Sequence, residues 1–504
     1  MRIINTAEIT PGEIASDAER LWVYNGLDAC VTAEVLDVLL PQLDNLTGST
    51  YSFSKSLQGP CLEMRLRGVR IDMHRRREVV EEFQEKLDFL ETNLERIVRE
   101  GLDFYGFNWR STAHLREVFY DKLGIPVIRR QGRPTVNRDA LEKLETYVIA
   151  RPIVRHLETM RDLVKKIQVL ETEIDPDGRI RTSYNIGGTS TGRLSSSFSE
   201  FGTGTNLQNI EESLRSIFIA DNGMKMAYFD GEQIQSRIVG AIEWNLFKDG
   251  RYLDACETGN LHTAVARMVW PKELPWTGDL ARDTKIAETP YYRHYTYRFM
   301  CKKLGHGSNF DGKPPEISRQ THIHVDEIED FQTEYFRAFP AHRGWREWTA
   351  AQLLRYGWVV ALTGRQRHFW GRRDDPATVR EALAYDAQAS ESHIVNTGML
   401  RVWRERDGVL LFQDHDAVTV QYPEEREDEI IPKVLAQLRV PVELKHGREL
   451  VVPFGCKTGW NKGEYHVETN PDGLKAYAPG DKRTRSKEVR ILDRIVRGVY
   501  GKSG

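Results

Sequence analysis

The stretch Met226-Ala-Tyr-Phe-Asp230-Gly-Glu-Gln-Ile-Gln235-Ser-Arg237 sets an aspartate at the end of an apolar run that reads as a buried strand. A second stretch, Leu410-Leu-Phe-Gln-Asp414-His-Asp416-Ala-Val-Thr-Val420, repeats the pattern. A carboxylate on a mostly buried strand is costly unless a cation or a hydrogen-bond donor lies opposite it. Two such strands, drawn from distant parts of the chain, predict one divalent-metal site on Asp230 and Asp416. Phosphoryl transfer is the chemistry such a site points to.

The rest of the composition is ordinary. At 504 residues, two to four subdomains are expected. Hydrophobic residues make up 40% and charged residues 29%, as in a soluble globular protein. No apolar run approaches the ~18 residues of a membrane span, and the start lacks the apolar core of a secretory signal. Five cysteines (Cys30, Cys61, Cys256, Cys301, Cys456) are scattered with no CxxC pair. That argues against a zinc site and a disulfide framework, and the expected location is a reducing cytoplasm. The net charge of −3 carries no global sign of nucleic acid. Residues 471–504 are the local exception, with nine Lys/Arg against four Asp/Glu. Within them Val489, Leu492, Val496 and Tyr500 predict a basic amphipathic helix, packed on its own protein or docking phosphate backbones or a partner.

Along the chain, helical spacing marks 13–43, a helix start or turn near Gly59-Pro60, and a long exposed helix from Arg75 to Arg99. Another helix starts at Ser111 or Thr112, and one more covers 148–172, ending before the turn Asp175-Pro-Asp-Gly178. From Arg179 to Ala241 the pattern changes to strands and Gly/Ser-rich loops. Residues 243–345 are helical and polar, with a proline-containing break at 271–290. Strand signals return at 357–369 and 409–422, with helices at 376–405 and 424–438. A sheet assembled from distant segments around a helical insert brings Asp230 and Asp416 onto one platform.

Two further segments carry chemistry. Thr191-Gly-Arg193-Leu-Ser-Ser196, followed by Asn206-Leu-Gln208-Asn209-Ile210, offers a guanidinium and two amides on loops just before the Asp230 strand. Such groups hydrogen-bond phosphates or base edges. In Arg298-x3-Lys302-x3-His306-x3-Phe310 a spacing of four puts two cations, an imidazole and a ring along one helical stripe, drifting about 40° per step. That order suits a triphosphate followed by a sugar and base. Two glycines inside this helix lower its propensity, a cost that a purely structural helix has little reason to accept.

Taken in order, these segments resemble the DNA polymerase I family (family A), phage-type members above all. The family's first palm motif, Asp-Tyr-Ser-Gln-Ile-Glu-x-Arg, is matched by Asp230-Gly-Glu-Gln233-Ile-Gln235-Ser-Arg237. Its fingers motif is matched by Arg298, Lys302 and Phe310, and its last palm motif, His-Asp-Glu, by His415-Asp416-Ala417. Supporting matches are Leu261-His262-Thr263, Thr363-Gly364-Arg365-x-Arg367, Arg380 eight residues before Gln388, Gly68–Asp72 and Ser111–Leu115. The resemblance covers roughly residues 20–470.

The resemblance implies an α+β right-hand polymerase with helical thumb, antiparallel-sheet palm and helical fingers. Its parts would be an exonuclease-like remnant (1–52), thumb (53–178), palm (179–242 and 376–470), fingers (243–375) and a basic C-terminal tail (471–504). It implies template-directed addition of dNTPs to a primer 3′-OH in phage-type DNA replication. Asp230 and Asp416 would hold two Mg2+ ions, with Mn2+ as a substitute. Lys302 and Arg298 would grip the triphosphate, with His262, His306, Phe310 and Gln235 completing the dNTP site. Arg193, Gln208, Asn209, Arg380, Gln388 and His415 would contact the primer–template. The chain departs from the pattern at Gln235 (Glu in the family), Phe310 (Tyr), His306 (an aromatic) and Ala417 (Glu). Gln235 and Phe310 keep the bulk that excludes a ribose 2′-OH, so ribonucleotides are expected to be rejected by size.

Tyr24-Asn-Gly-Leu-Asp28 resembles the last motif of the family's 3′–5′ exonuclease, without that domain's other acids. A two-metal nuclease needs more than one carboxylate. The expectation is a chain that does not proofread, with a separate exonuclease subunit or replication protein as partner and no membrane partner. Two alternatives stay open. One is a single-subunit RNA polymerase-like enzyme, whose first motif also begins Asp-Gly; the other is an inactive DNA-binding paralogue.

Overall fold

The computed structural model describes residues 16–199, 202–481 and 483–485. The opening stretch becomes the middle of a five-stranded antiparallel sheet. Its strands are β1 (Met224–Gly231), β2 (Val409–Asp414), β3 (Ala417–Pro423), β4 (Phe454–Gly459) and β5 (Lys475–Ala476), in the order β2-β3-β1-β4-β5. Alternation along β1 sends Ala227 and Phe229 into one core and Met226 and Tyr228 into another. Asp230 therefore follows Tyr228 on the second face. Its register partners are Ala417 on β3 and Gly455 on β4. A bulge between Leu410 and Phe412 resets the register of β2, so that Asp414 lies opposite Ala417.

One strand expectation is corrected here. Asp416 is not on a strand: β2 ends at Asp414 and β3 begins at Ala417, leaving His415 and Asp416 as a two-residue turn. His415 adopts the left-handed conformation such turns require, with φ 57°.

The helices divide between two further bodies of packing. α1 (Asp17–Leu39) is capped by Ser16 and buries none of its residues. α2 (Met73–Leu102) starts at Asp72, whose carboxylate accepts the His74 and Arg75 N–H groups at 3.0 Å. Expected as an exposed helix, α2 is amphipathic. Val79, Leu87, Leu94 and Val98 are buried, the last three against α3 (Arg151–Leu170) in a cluster separate from the sheet. Ser111 caps the helix Thr112–Arg116, which continues as a π turn through Lys122. The segment 53–72, grouped above with the helical part, packs with the sheet. Leu57, Cys61 and Met64 join its core, and Val69–Ile71 pairs with Arg179–Ile180 and Phe218–Ile219.

Three helices position the site. α4 (Ile234–Phe247) leaves the end of β1, α5 (Tyr297–Asn309) packs against α4, and α6 (Pro376–Glu405) runs beneath β2 and β3. α6 is buried nearly all round, as a central helix must be to satisfy its neighbours. Gly307 in α5 has a packing reason, correcting the expectation drawn from its glycines: a Cβ there would stand 3.1 Å from Ile317 Cδ1. The result is an α+β fold with helices on both sides of an antiparallel sheet. No described helix is long and apolar enough to cross a membrane. The basic helix expected over 485–500 lies outside the described residues, apart from Arg485.

Candidate active site

The end of β1 and the β2–β3 turn come together through backbone bonds. The Gly231 N–H donates to the Asp416 carbonyl at 3.0 Å, and the Asp416 N–H to the Asp414 carbonyl at 2.7 Å. The two carboxylates are thus held side by side by the sheet itself. Burial, and then the neighbouring Asp416 charge, push the Asp230 carboxyl up to about 6, against the Tyr228 hydroxyl that donates to it at 3.3 Å. Asp416 is raised as well, by burial first and with Asp414 adding to it, while Arg193 opposes. Asp230 lines a cavity of about 490 Å³ together with Tyr228, Glu232, Lys457, Lys462 and Arg215.

The turn is braced from below by a polar relay. Ser392 on α6 donates to the Gly192 carbonyl at 2.6 Å, and Asn396 donates to Ser392 at 3.2 Å. Gln413 donates to Asn396 at 3.3 Å and to the His415 carbonyl at 3.2 Å. Gln208 donates to both the backbone and the side-chain oxygen of Gln413, at 3.0 and 2.8 Å. Gly192 is required here: φ is 76°, and the Arg365 guanidinium lies 2.6 Å from where a Cβ would be. Gln208, expected to reach DNA, is buried with its amide committed to this relay, whereas Asn209 beside it is exposed.

Two carboxylates that the sequence reading did not single out complete the acid side. Asp414, in the same cross-strand row as Ala417 and Asp230, binds the buried Lys462 at 2.5 Å. That ammonium also lies 3.7 Å from the centre of the Phe412 ring. Glu391 on α6 is 1% exposed. Its carboxylate pairs with the Arg193 guanidinium, and both its oxygens accept from Gln235 Nε2, at 3.3 and 3.2 Å. Burial raises the Glu391 carboxyl and Arg193 opposes the rise. A signal was present: Glu391 follows Arg380 by eleven residues on one helix, about three turns, and is the one carboxylate of the segment Ala387–Ile394.

Two buried nitrogens of the site, Arg193 Nε and His415 Nδ1, have no hydrogen-bond partner among the described residues. Burial and then Arg193 hold the His415 ring below its usual range.

The cationic stripe forms as a helix. Arg298 and Lys302 lie on α5, and both act on His262, which sits on the neighbouring helix Leu261–Val269. Burial first, then the two cations, push the His262 imidazole down to about 4. Arg298 also meets Glu288 at 3.4 Å and Asn260 at 3.5 Å. His306 and Phe310 close the stripe, their ring centres 5.2 Å apart, with Phe310 backed by Trp345 at 6.3 Å. Phe310 has no polar atom to offer Gln235, whose amide donates to Glu391 instead. Arg380 and Gln388 lie partly buried on α6.

The donors fit an oxygen-preferring divalent ion. Two carboxylates converge with no third His, Cys, Asp or Glu completing a cage among the described residues. Two carboxylates fit a hard divalent ion that completes its shell with waters and substrate phosphates.

Comparison with known proteins adds the family. Residues 73–463 match DNA polymerase family A. The chain is 26% identical over 426 residues to the thermostable DNA polymerase I of Thermus aquaticus, covering 78% of this chain and 47% of that one. It is 27% identical over 463 residues to DNA polymerase I of Chloroflexus aurantiacus, covering 86% and 45%. The chain thus spans about half the length of these relatives. Among solved structures it is similar to the POL domain of Pol1 from M. smegmatis in complex with DNA primer-template and dNTP. The TM-score is 0.66 at 21% identity, covering 88% of this chain and 74% of that one. The fold is therefore that of a right-hand polymerase, and the chain belongs to DNA polymerase family A.

Proposed function

We propose that the chain is a template-directed DNA polymerase that adds dNTPs to a primer 3′-OH. The observation that carries this reading is the pairing of two charge-frustrated groups. Asp230 and Asp416 share the sheet end, where burial and then the neighbouring charge raise Asp230, and burial followed by the Arg298–Lys302 pair holds His262 neutral. Each group lacks what a metal-bound triphosphate brings: positive charge for the acids, negative charge for the cations. In the thumb, palm and fingers division, the first group belongs to the palm and the second to the fingers.

Asp230 and Asp416 would hold Mg2+. When bound, such ions acidify the primer 3′-OH and neutralise the triphosphate and leaving pyrophosphate. The chain's own residues do the rest. Lys302 and Arg298 hold the triphosphate oxygens, and neutral His262 donates one hydrogen bond beside them. Phe310 and His306 form the surface for the sugar and base. Gln235 and Phe310 exclude a 2′-OH by bulk. Arg193 and His415 are both partly exposed and would donate to acceptors on the primer–template. Asn209, Arg380 and Gln388 extend that contact.

The reading includes the absence of proofreading by this chain alone. Asp28 lies on α1, which buries none of its residues, and a separate exonuclease would supply the activity. A mismatched 3′ end that this chain degrades by itself would refute that part.

The test is single-nucleotide primer extension with each dNTP against each templating base, in Mg2+ and in chelator. Incorporation of only the complementary dNTP, abolished by chelator, supports the proposal. No incorporation, or incorporation indifferent to the template, overturns it. Equal rates with dNTP and rNTP would sink the size argument for Gln235 and Phe310.

A further inference from the structure

Glu391 is the most deeply buried carboxylate of the site and is not among the proposed metal ligands. A buried carboxylate costs several kcal/mol unless it is paired and hydrogen-bonded. Here both partners are residues already placed at the site: Arg193, from the loop beneath α6, and Gln235, from the first turn of α4. The three come from segments far apart in sequence and meet only through this carboxylate. Only the NH2 side of an amide can face a carboxylate, so Gln235 is locked with Nε2 toward Glu391 and Oε1 turned away from it. Arg193, partly exposed, is charge-compensated from its buried side while its Nε lacks a partner.

The arrangement amounts to a displaced charge. The sequence pattern places an acid at position 235; the chain carries a neutral amide there and an acid within hydrogen-bond distance at 391. We propose that Glu391 is a positioning residue that fixes the Gln235 amide against the incoming nucleotide's sugar and the Arg193 guanidinium against the primer terminus, coupling sugar selection to primer grip through one buried carboxylate. This rests on the polymerase reading above. Exchanging the two residues should therefore preserve the device, and changing either alone should break it, because directly contacting residues act non-additively.

The test is a double-mutant cycle with Gln235→Glu, Glu391→Gln and the two combined, read in dNTP and rNTP incorporation and in primer–template affinity across salt. Each single change is expected to lower kcat/KM for dNTP by about 10-fold or more, and the exchange to return it to within about 3-fold of wild type. Glu391→Gln uncovers the Arg193 charge. It should bind primer–template at least as tightly at low salt, with a slope of log K against log salt steeper by about 0.9, while incorporating more slowly. A residue with only a structural role would weaken binding and incorporation together. Glu391→Asp, which keeps the charge on a shorter arm, should hold Arg193 but release Gln235, changing the dNTP/rNTP ratio without changing the salt slope.

Additive losses in the exchanged variant, or a Glu391→Gln protein unchanged in selectivity and salt slope, would overturn the proposal. If the wild type extends no primer, the polymerase reading fails. The cycle in primer–template affinity then still decides, and additivity there overturns the coupling.

Discussion

The acid end of the sheet and the cationic face of α5 hold their charges by different means. Asp230 and Asp416 are fixed by backbone bonds between a strand and a turn, and a buried relay from Gly192 through Gln413 props that turn from behind. Lys302 stands exposed on a long flexible stem, and Arg298 is held, among the described residues, by contacts of 3.4–3.5 Å to Glu288 and Asn260. The groups nearest the proposed chemistry are rigid, and the groups that grip the triphosphate can adapt. Both walls are unfavourable alone: burial and then the neighbouring acid drive Asp230 up, and burial and then the two cations drive His262 down. A bound metal–triphosphate would relieve both at once.

Breaking the rigid wall should cost most. Asp230→Asn is expected to reduce primer extension by at least ~10^3-fold, about 4 kcal/mol of barrier, with primer–template affinity nearly unchanged. Retention of a tenth of the rate would place the reacting atoms elsewhere. On the adaptable wall, Lys302→Ala should lower kcat/KM for dNTP by about 10^2-fold, and Arg298→Ala should act mainly through KM. An unchanged KM for Arg298→Ala would remove it from the triphosphate.

Stability sharpens the contrast. The folded pKa of Asp230, about 6, lies above its ordinary 3.8, so the folded chain binds the extra proton between those values. Stability from this group is therefore lost as the pH rises through that window. In chelator, Asp230→Asn should be more stable than wild type at pH 8 by roughly 2 kcal/mol, the gap closing as the pH falls toward 4. A gap that does not vary with pH contradicts the shared-site electrostatics. The smallest effect is local: in Lys302→Ala the His262 ring should titrate higher than its present value of about 4, as followed by NMR. An unmoved titration would mean that the cation does not act on it.

Much of this was legible in the residues, for reasons the structure makes plain. The apolar run before Asp230 is a strand paired on both sides, and the helix expected over 376–405 is found over those residues. The turn at Asp416 was not legible. His415 takes a left-handed backbone without the glycine or asparagine that usually marks one, so the strand signal over 409–422 reads as continuous through it. Nor was the burial of Gln208 visible, because an amide on a loop reads the same whether it meets solvent or Gln413. Glu391 and the Asp414–Lys462 pair escaped because their partners lie far away in sequence, from 48 residues for Lys462 to 198 for Arg193.

The central claim is that Asp230 and Asp416 form the metal-dependent centre of nucleotide addition. Single-turnover incorporation of one complementary dNTP, titrated with Mg2+, tests it most directly when wild type and Asp416→Asn are run side by side. The account predicts saturable, Mg2+-dependent incorporation by the wild type and a rate at least ~10^3-fold lower for Asp416→Asn at every Mg2+ concentration. Equal incorporation by the two proteins, or a wild-type rate indifferent to Mg2+, would contradict it.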